Sequence, residues 1–260
     1  MKCLSFFLVF AFCIVAFAAF SQSPSNDELV IKSVELRNYT LLENMRDKFS
    51  SYMDRIIIPR QAELGGYLMN AFSLNQATDH YLWIRGFTTM QSRSKFMKDF
   101  YYSDYWKQNA AECNSMLMDS YDVHLLKPLQ VRGTSVDSTG GIKLGTLRKP
   151  DGITVATYYV TKGKRKELIN VMATGQLDIL KKAGGDVLAL LICETQENDY
   201  TRQHVYQDPN LLVVLTHYRD VAAYEAAIKL QAVLTPDDVK NKMKALLESS
   251  DSQILYPLKH

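Results

Sequence analysis

One order of elements occurs twice along this chain: strand, long helix, two strands, long helix, strand. The first copy runs from Val30 to Leu129 and the second from Ile153 to Leu258. A four-stranded sheet with both helices on one side leaves its other side bare, and that side must be buried against another layer. Two such units in one chain can cover each other. The space between them is the first place to look for a site.

The segments are read from hydrophobic period and turn chemistry. Ile31 to Leu41 alternates and is rich in branched and aromatic residues, which predicts a strand. Glu43 to Leu64 carries Met45, Phe49, Tyr52, Met53 and Ile56 as a helical stripe, with Pro59 expected to kink or end it and Gly65-Gly66 as its stop. Tyr67 to Leu74 and His80 to Phe87 read as a hairpin. A helix capped by Thr88 or Thr89 follows, broken near Ser103-Asp104, and Leu117 to Leu126 closes the copy as a strand. In the second copy the strands are Thr154 to Val160, Val187 to Glu194, Leu211 to Tyr218 and Gln253 to Tyr256. Its helices are Lys164 to Lys182, Val221 to Val233 and Val239 to Leu247. Order β-α-β-β-α-β is the ferredoxin-like motif. Between the copies, residues 130–152 read as an exposed linker.

The ends and the bulk composition exclude several classes. Residues 1–21 have a basic start, an apolar run from Leu4 to Phe20 and small residues at Ala19 and Ser21. That is the pattern of a signal peptide cut before Gln22, followed by a tail over residues 22–29 and implying a secreted or periplasmic protein. No later stretch is apolar enough for a permanent membrane span. The 30 basic and 28 acidic residues leave a net charge of +2, too weak a field for nucleic acid. Cleavage removes Cys3 and Cys13, and the remaining Cys113 and Cys193 read as small buried hydrophobes, with a bridge between the copies as the alternative.

Several short motifs stand in order in the first copy: Glu35-Leu36-Arg37-Asn38-Tyr39, Ile58-Pro59-Arg60-Gln61, Trp83-Ile84-Arg85-Gly86-Phe87 and the pair Tyr105-Trp106. Over about Val30 to Pro128 the chain resembles the NIPSNAP family; the second copy lacks the Pro-Arg-Gln and Trp elements. The resemblance implies an α+β fold of two tandem ferredoxin-like units packing sheet to sheet as a dimeric α/β-barrel. The sheets would then close one barrel within the chain or each pair in a homodimer. That superfamily includes cofactor-free monooxygenases, haem-handling proteins, isomerases and non-enzymatic binders, so the resemblance fixes no reaction and implies no cofactor.

Strand period places the candidate residues. With Val34 and Leu36 facing the helices, Glu35, Arg37 and Tyr39 are expected to enter the space between the sheets. Tyr81, Trp83 and Arg85 would join them from the third strand, and Asp122 and His124 from the fourth. Buried ions need partners, so Glu35, Arg37, Tyr39, Trp83, Arg85 and His124 form either a salt-bridged filler or an anion-binding pocket. The five histidines have no partner at helical ligand spacing, which gives no metal site. His124 and His217 are candidate proton carriers or axial haem ligands, with a structural role as the plainer reading of a lone strand histidine, and His204 lies in a polar loop that could flap over the barrel mouth or be plain surface. No nucleophile elbow, phosphate loop or dinucleotide fingerprint occurs. The expected function is binding of a small organic ligand in the barrel lumen. A cofactor-independent monooxygenase or isomerase is the enzymatic alternative, and a protein-interaction module the non-enzymatic one. An open lumen lined by Arg37, Trp83 and Arg85 would favour the ligand; a lumen filled by its own side chains would favour the interaction module.

Overall fold

The computed structural model describes residues 26–74, 77–132 and 135–258. The expected signal peptide with Cys3 and Cys13, its cleavage point, the start of the tail and His260 lie outside the described residues. Eight antiparallel strands close into a barrel: β1 (Ser33–Leu41), β2 (Tyr67–Leu74), β3 (Ala77–Phe87), β4 (Leu117–Arg132), β5 (Ile153–Thr161), β6 (Asp186–Cys193), β7 (Leu211–Tyr218) and β8 (Leu247–Pro257). Around the barrel they run β1-β3-β2-β8-β5-β7-β6-β4, and β4 returns to β1. The first four strands thus lie in the order β4-β1-β3-β2, and the last four in the matching order β8-β5-β7-β6. The two sheets join edge to edge, through β2 with β8 and β4 with β6. Their bare faces meet across the interior, and closure is complete within one chain.

Outside the barrel, each half lays its helices on its own sheet. Helix α1 spans residues 46–63 and α4 spans residues 165–182. Each is built of seven α-helical residues, five in a π stretch and six more in α form: Arg46–Tyr52, Met53–Ile57 and Ile58–Glu63 against Arg165–Val171, Met172–Gln176 and Leu177–Lys182. Pro59 does not end its helix. It sits in the first turn of the last piece, just past the π stretch, where Ile58 N–H already reaches back five residues to Met53 O. Both helices end at a glycine in the left-handed region, Gly65 (φ 89°) and Gly184 (φ 94°), a conformation that Cβ disfavours. The other helices are α2 (Met90–Tyr101), α3 (Asp104–Asn114), α5 (Val221–Leu234) and α6 (Asp237–Leu246). Thr89 caps α2 in a reciprocal box with Ser92. Among the described residues no helix is long and apolar enough to cross a membrane.

Residues 130–152 are not an exposed connection. Ser135–Asp137 folds back on the end of β4, Ile142–Lys143 pairs with Val30–Ile31, and Leu144–Leu147 forms a short 3-10 turn. Leu144 and Leu147 are buried with Ile31 against Val34, Met69 and Leu188, plugging one end of the barrel. Asn70 Nδ2 ties the plug down through Leu147 O at 2.8 Å. Strand β8 also begins earlier than its apolar residues announce. Its first half, Leu247 to Ser252, is polar and largely exposed yet pairs along β5.

A plug of this kind contributes like any core segment. Leu147→Ala is expected to cost roughly 2 to 5 kcal/mol, as buried Leu to Ala changes do. Urea unfolding would show a lower midpoint with an unchanged slope; a change below about 0.5 kcal/mol, the ordinary surface range, would mean that the turn is not part of the core.

Candidate functional site

The alternation along β1 is as expected, but its sense is reversed. Val34 and Leu36 point into the barrel with Leu82, Ile84, Leu126, Ala156, Val213 and Leu255, and these side chains fill its middle. Glu35, Arg37 and Tyr39 point outward, under the helices, with Tyr81, Trp83 and Arg85 opposite them across the β1–β3 ladder. The physical reason is closure. A closed barrel makes its interior the drier side, so the wholly apolar positions take it, while β1 is covered on both faces and polarity no longer marks the wet one. His124 belongs to the inward set, opposite Leu36, and so stands apart from the other five candidates.

The outward cluster is an ion group shut away from the protein surface. Glu35, Arg85 and Arg93 are fully buried and Arg37 is 3% exposed. Glu35 Oε2 accepts from Arg37 NH1 at 2.7 Å and from Arg85 Nε and NH2 at 2.9 and 2.5 Å; Oε1 accepts from Arg93 Nε at 2.8 Å. Burial by itself would raise the Glu35 pKa, yet the charges of Arg85, Arg93 and Arg37 outweigh it and hold the carboxyl well below the usual range. Arg85 lies over the rings of Trp83, Phe87 and Phe96, which substitute for water around its flat faces. Three cations against one anion leave two positive charges in excess.

Arg37 carries that excess to a cleft of about 290 Å³ between the first sheet and its helices. Its guanidinium donates to Tyr39 Oη from Nε and NH2 at 2.9 and 2.6 Å, and both terminal nitrogens face the side-chain amide of Gln203, whose oxygen accepts from them when the amide is turned over. Trp83, Tyr101, Trp106 and Tyr200 form aromatic walls; Gln61 and His204 add polar groups. No carboxylate lines this cleft among the described residues. Trp83, only 2% exposed, has an indole N–H without a partner there. Burial pushes the Tyr39 phenol and the Cys113 thiol each up to about 12, so both stay protonated at neutral pH.

The lid of the cleft comes from the second half. Residues 194–210, between β6 and β7, cross to the first half: Tyr206 N–H donates to Val123 O at 2.7 Å, Arg93 NH1 donates to Asn198 Oδ1 at 2.9 Å, and Tyr200 stacks on Tyr101 at 5.8 Å. His204 therefore stands over the helix-side cleft rather than over the barrel mouth. Arg93, Gln203 and Tyr200 escaped the sequence reading. Arg93 had a signal, since it interrupts the apolar stripe of Phe96, Met97 and Phe100 on α2; the loop residues had none. The second half keeps no counterpart of the cluster, its sheet meeting α4 through Leu168, Met172, Leu212 and Val214. His217 lines neither this cleft nor the barrel mouth. Cys113 and Cys193 are both buried and free. Among the described residues no three acidic, His or Cys side chains are placed to hold a metal.

The sign of the charge cluster makes a test. Glu35→Gln would leave buried guanidinium groups uncompensated, at a cost of roughly 3 to 5 kcal/mol at pH 7. Because the folded pKa of Glu35 is depressed, its contribution is complete above the unfolded value of about 4.3 and fades as pH falls below that. Denaturation of both proteins from pH 7 to pH 2 should show the gap narrowing only in the acid range. A constant gap would show that the carboxylate charge is not what holds the arginines.

No family model matches the chain, and no curated protein does. Solved structures do. An anthrone oxidase-like protein matches with a TM-score of 0.57 at 14% identity, over 88% of this chain and 92% of that one. A candidate monooxygenase from Fusobacterium nucleatum matches at 0.56 and 11% identity, over 88% and 94%. Another from Lactobacillus acidophilus matches at 0.53 and 12% identity, over 87% and 94%. A NIPSNAP family protein from Agrobacterium tumefaciens aligns over 38% of this chain and 87% of its own at a TM-score of 0.35, so that resemblance rests on the sequence motifs alone. Identities this low speak for the fold only, a closed antiparallel barrel flanked by helices that this chain shares with those proteins.

Proposed function

We propose that this protein binds a small planar aromatic anion in the helix-side cleft of its first half. The observation that carries the reading is the buried excess of positive charge, which Arg37 delivers to a cleft with aromatic walls and no carboxylate. Flat rings stack on Trp and Tyr faces, and a carboxylate or phenolate oxygen would take the place of the Gln203 amide against the two terminal nitrogens of Arg37. Trp83 adds an unpaired donor. The lumen is no longer the proposed site, because its middle is packed with apolar side chains, the outcome that favours the interaction module; the ligand reading rests on the helix-side cleft instead.

On this reading the two halves are tandem ferredoxin-like units, of which the first is NIPSNAP-like and retains the site. The equal seven, five and six residue pieces of α1 and α4 support the duplication. Residues 1–21 act as a signal peptide, and the mature chain works in a secreted or periplasmic setting. The enzymatic version is a cofactor-independent oxygenation of an electron-rich phenolate by molecular oxygen, in which one oxygen atom enters the ring as a carbonyl and the other leaves as water with the two hydrogens that the substrate loses. His204, the one imidazole lining the cleft among the described residues, is then the group to take the substrate proton.

Both tryptophans of the chain, Trp83 and Trp106, line the cleft, so their emission reports its occupancy. Titration with para-nitrobenzoate should quench that emission saturably, and para-nitrobenzyl alcohol should do so at least about tenfold more weakly. Arg37→Gln, with its fold checked by circular dichroism, should lose about tenfold or more in affinity for the anion. Equal quenching by acid and alcohol, or full affinity in the variant, would contradict the reading.

A further inference from the structure

The barrel mouth opposite the plug holds a second cavity, of about 250 Å³, which shares no residue with the cleft. Its walls are inward positions of four strands: Asn38 of β1, Asp122 and His124 of β4, Tyr158 of β5, and Asp251 and Gln253 of β8. The ladders set Asn38 opposite Asp122 and Asp251 opposite Tyr158. Leu36 and Val160 line its apolar part. Deeper positions on the same strands are apolar, so the convergence of polar groups is confined to the mouth.

Hydrogen-bond bookkeeping gives the chemistry of the missing partner. Asn38 Nδ2 donates to Asp122 Oδ2 at 3.1 Å, and His124 Nε2 lies 3.4 Å from Asp122 Oδ1. In the tautomer that donates Nε2–H to Asp122, Nδ1 of His124 is an acceptor. That Nδ1 is buried with no partner among the described residues, and so is Gln253 Oε1. Both unpartnered atoms are acceptors, and Asp122 and Asp251 add two carboxylates. Among the described residues no lysine or arginine lines the cavity. The Tyr158 ring, 6.2 Å from the His124 ring, gives an aromatic wall of the kind that attracts cations. A wall of acceptors, carboxylates and a ring face calls for a ligand rich in donors and positively charged.

We propose that the barrel mouth binds a small organic ammonium of the alkyl diamine class. It is a second site, opposite in charge to the cleft and independent of it. The volume holds roughly eight water-sized groups, enough for a diamine with a four-carbon chain.

Calorimetric titration of the protein with putrescine, butanediol and succinate tests this. Putrescine should bind, butanediol at least about tenfold more weakly, and succinate not at all. Asp251→Asn, at an exposed position that the fold does not depend on, should weaken putrescine by about tenfold and leave para-nitrobenzoate quenching unchanged. Gln253→Leu should weaken it too. The proposal fails if putrescine gives no heat at about 10 mM, if the diol binds as well as the diamine, or if both variants bind putrescine like the parent.

Discussion

A single carboxylate holds the first half of this protein together. Glu35 is fully buried between a sheet and its helices, and three guanidinium groups meet on its two oxygens. Each arginine comes from a different place: Arg37 from the same strand, Arg85 from the neighbouring strand, Arg93 from the helix above. Sheet pairing and helix docking are therefore coupled through one ion group, and removal of Glu35 would leave three buried guanidinium groups without their counter-charge. The same group cannot be neutral, because three cations exceed one anion, and the excess is what gives the adjoining cleft its chemistry.

Barrel closure decides where that chemistry sits. Eight strands bring their apolar sets inward and fill the interior, so charged residues on the same strands have only the helix side to occupy. One end of the interior is sealed by Leu144 and Leu147, and the other is lined with hydrogen-bonding side chains. The two halves then diverge. The second sheet meets its helices through an apolar layer, while its loop of residues 194–210 reaches across to cover the first half's cleft. The cleft is thus built by one half of the chain and lidded by the other.

Much of the fold was legible because its elements are locally coded. β7 falls on Leu211 to Tyr218 as read, α2 and α3 break at Ser103, and the paired glycines end both long helices. Strand period puts Glu35, Arg37 and Tyr39 on one face of β1 and Trp83 and Arg85 on one face of β3, and the ladder sets the two groups together. Which face it was depends on closure, a property of all eight strands that no single strand records. His124 was grouped with them although strand pairing puts it on the other face. The polar start of β8 and the plug within residues 130–152 were missed for a related reason. Their structure comes from partners far along the chain, Thr157 to Thr161 for one and Val30 to Ile31 for the other. Arg93 was available to a stricter rule: a charged residue on the apolar stripe of a helix must be meeting a buried counter-charge.

The most direct test is a crystal structure of the protein grown with para-nitrobenzoate. The carboxylate should lie within hydrogen-bond distance of Arg37, with the ring between Trp83 and Tyr200 under residues 194–210. Density for the ligand inside the barrel, or against the apolar layer of the second half, would contradict the assignment of the chemistry to the helix side of the first sheet.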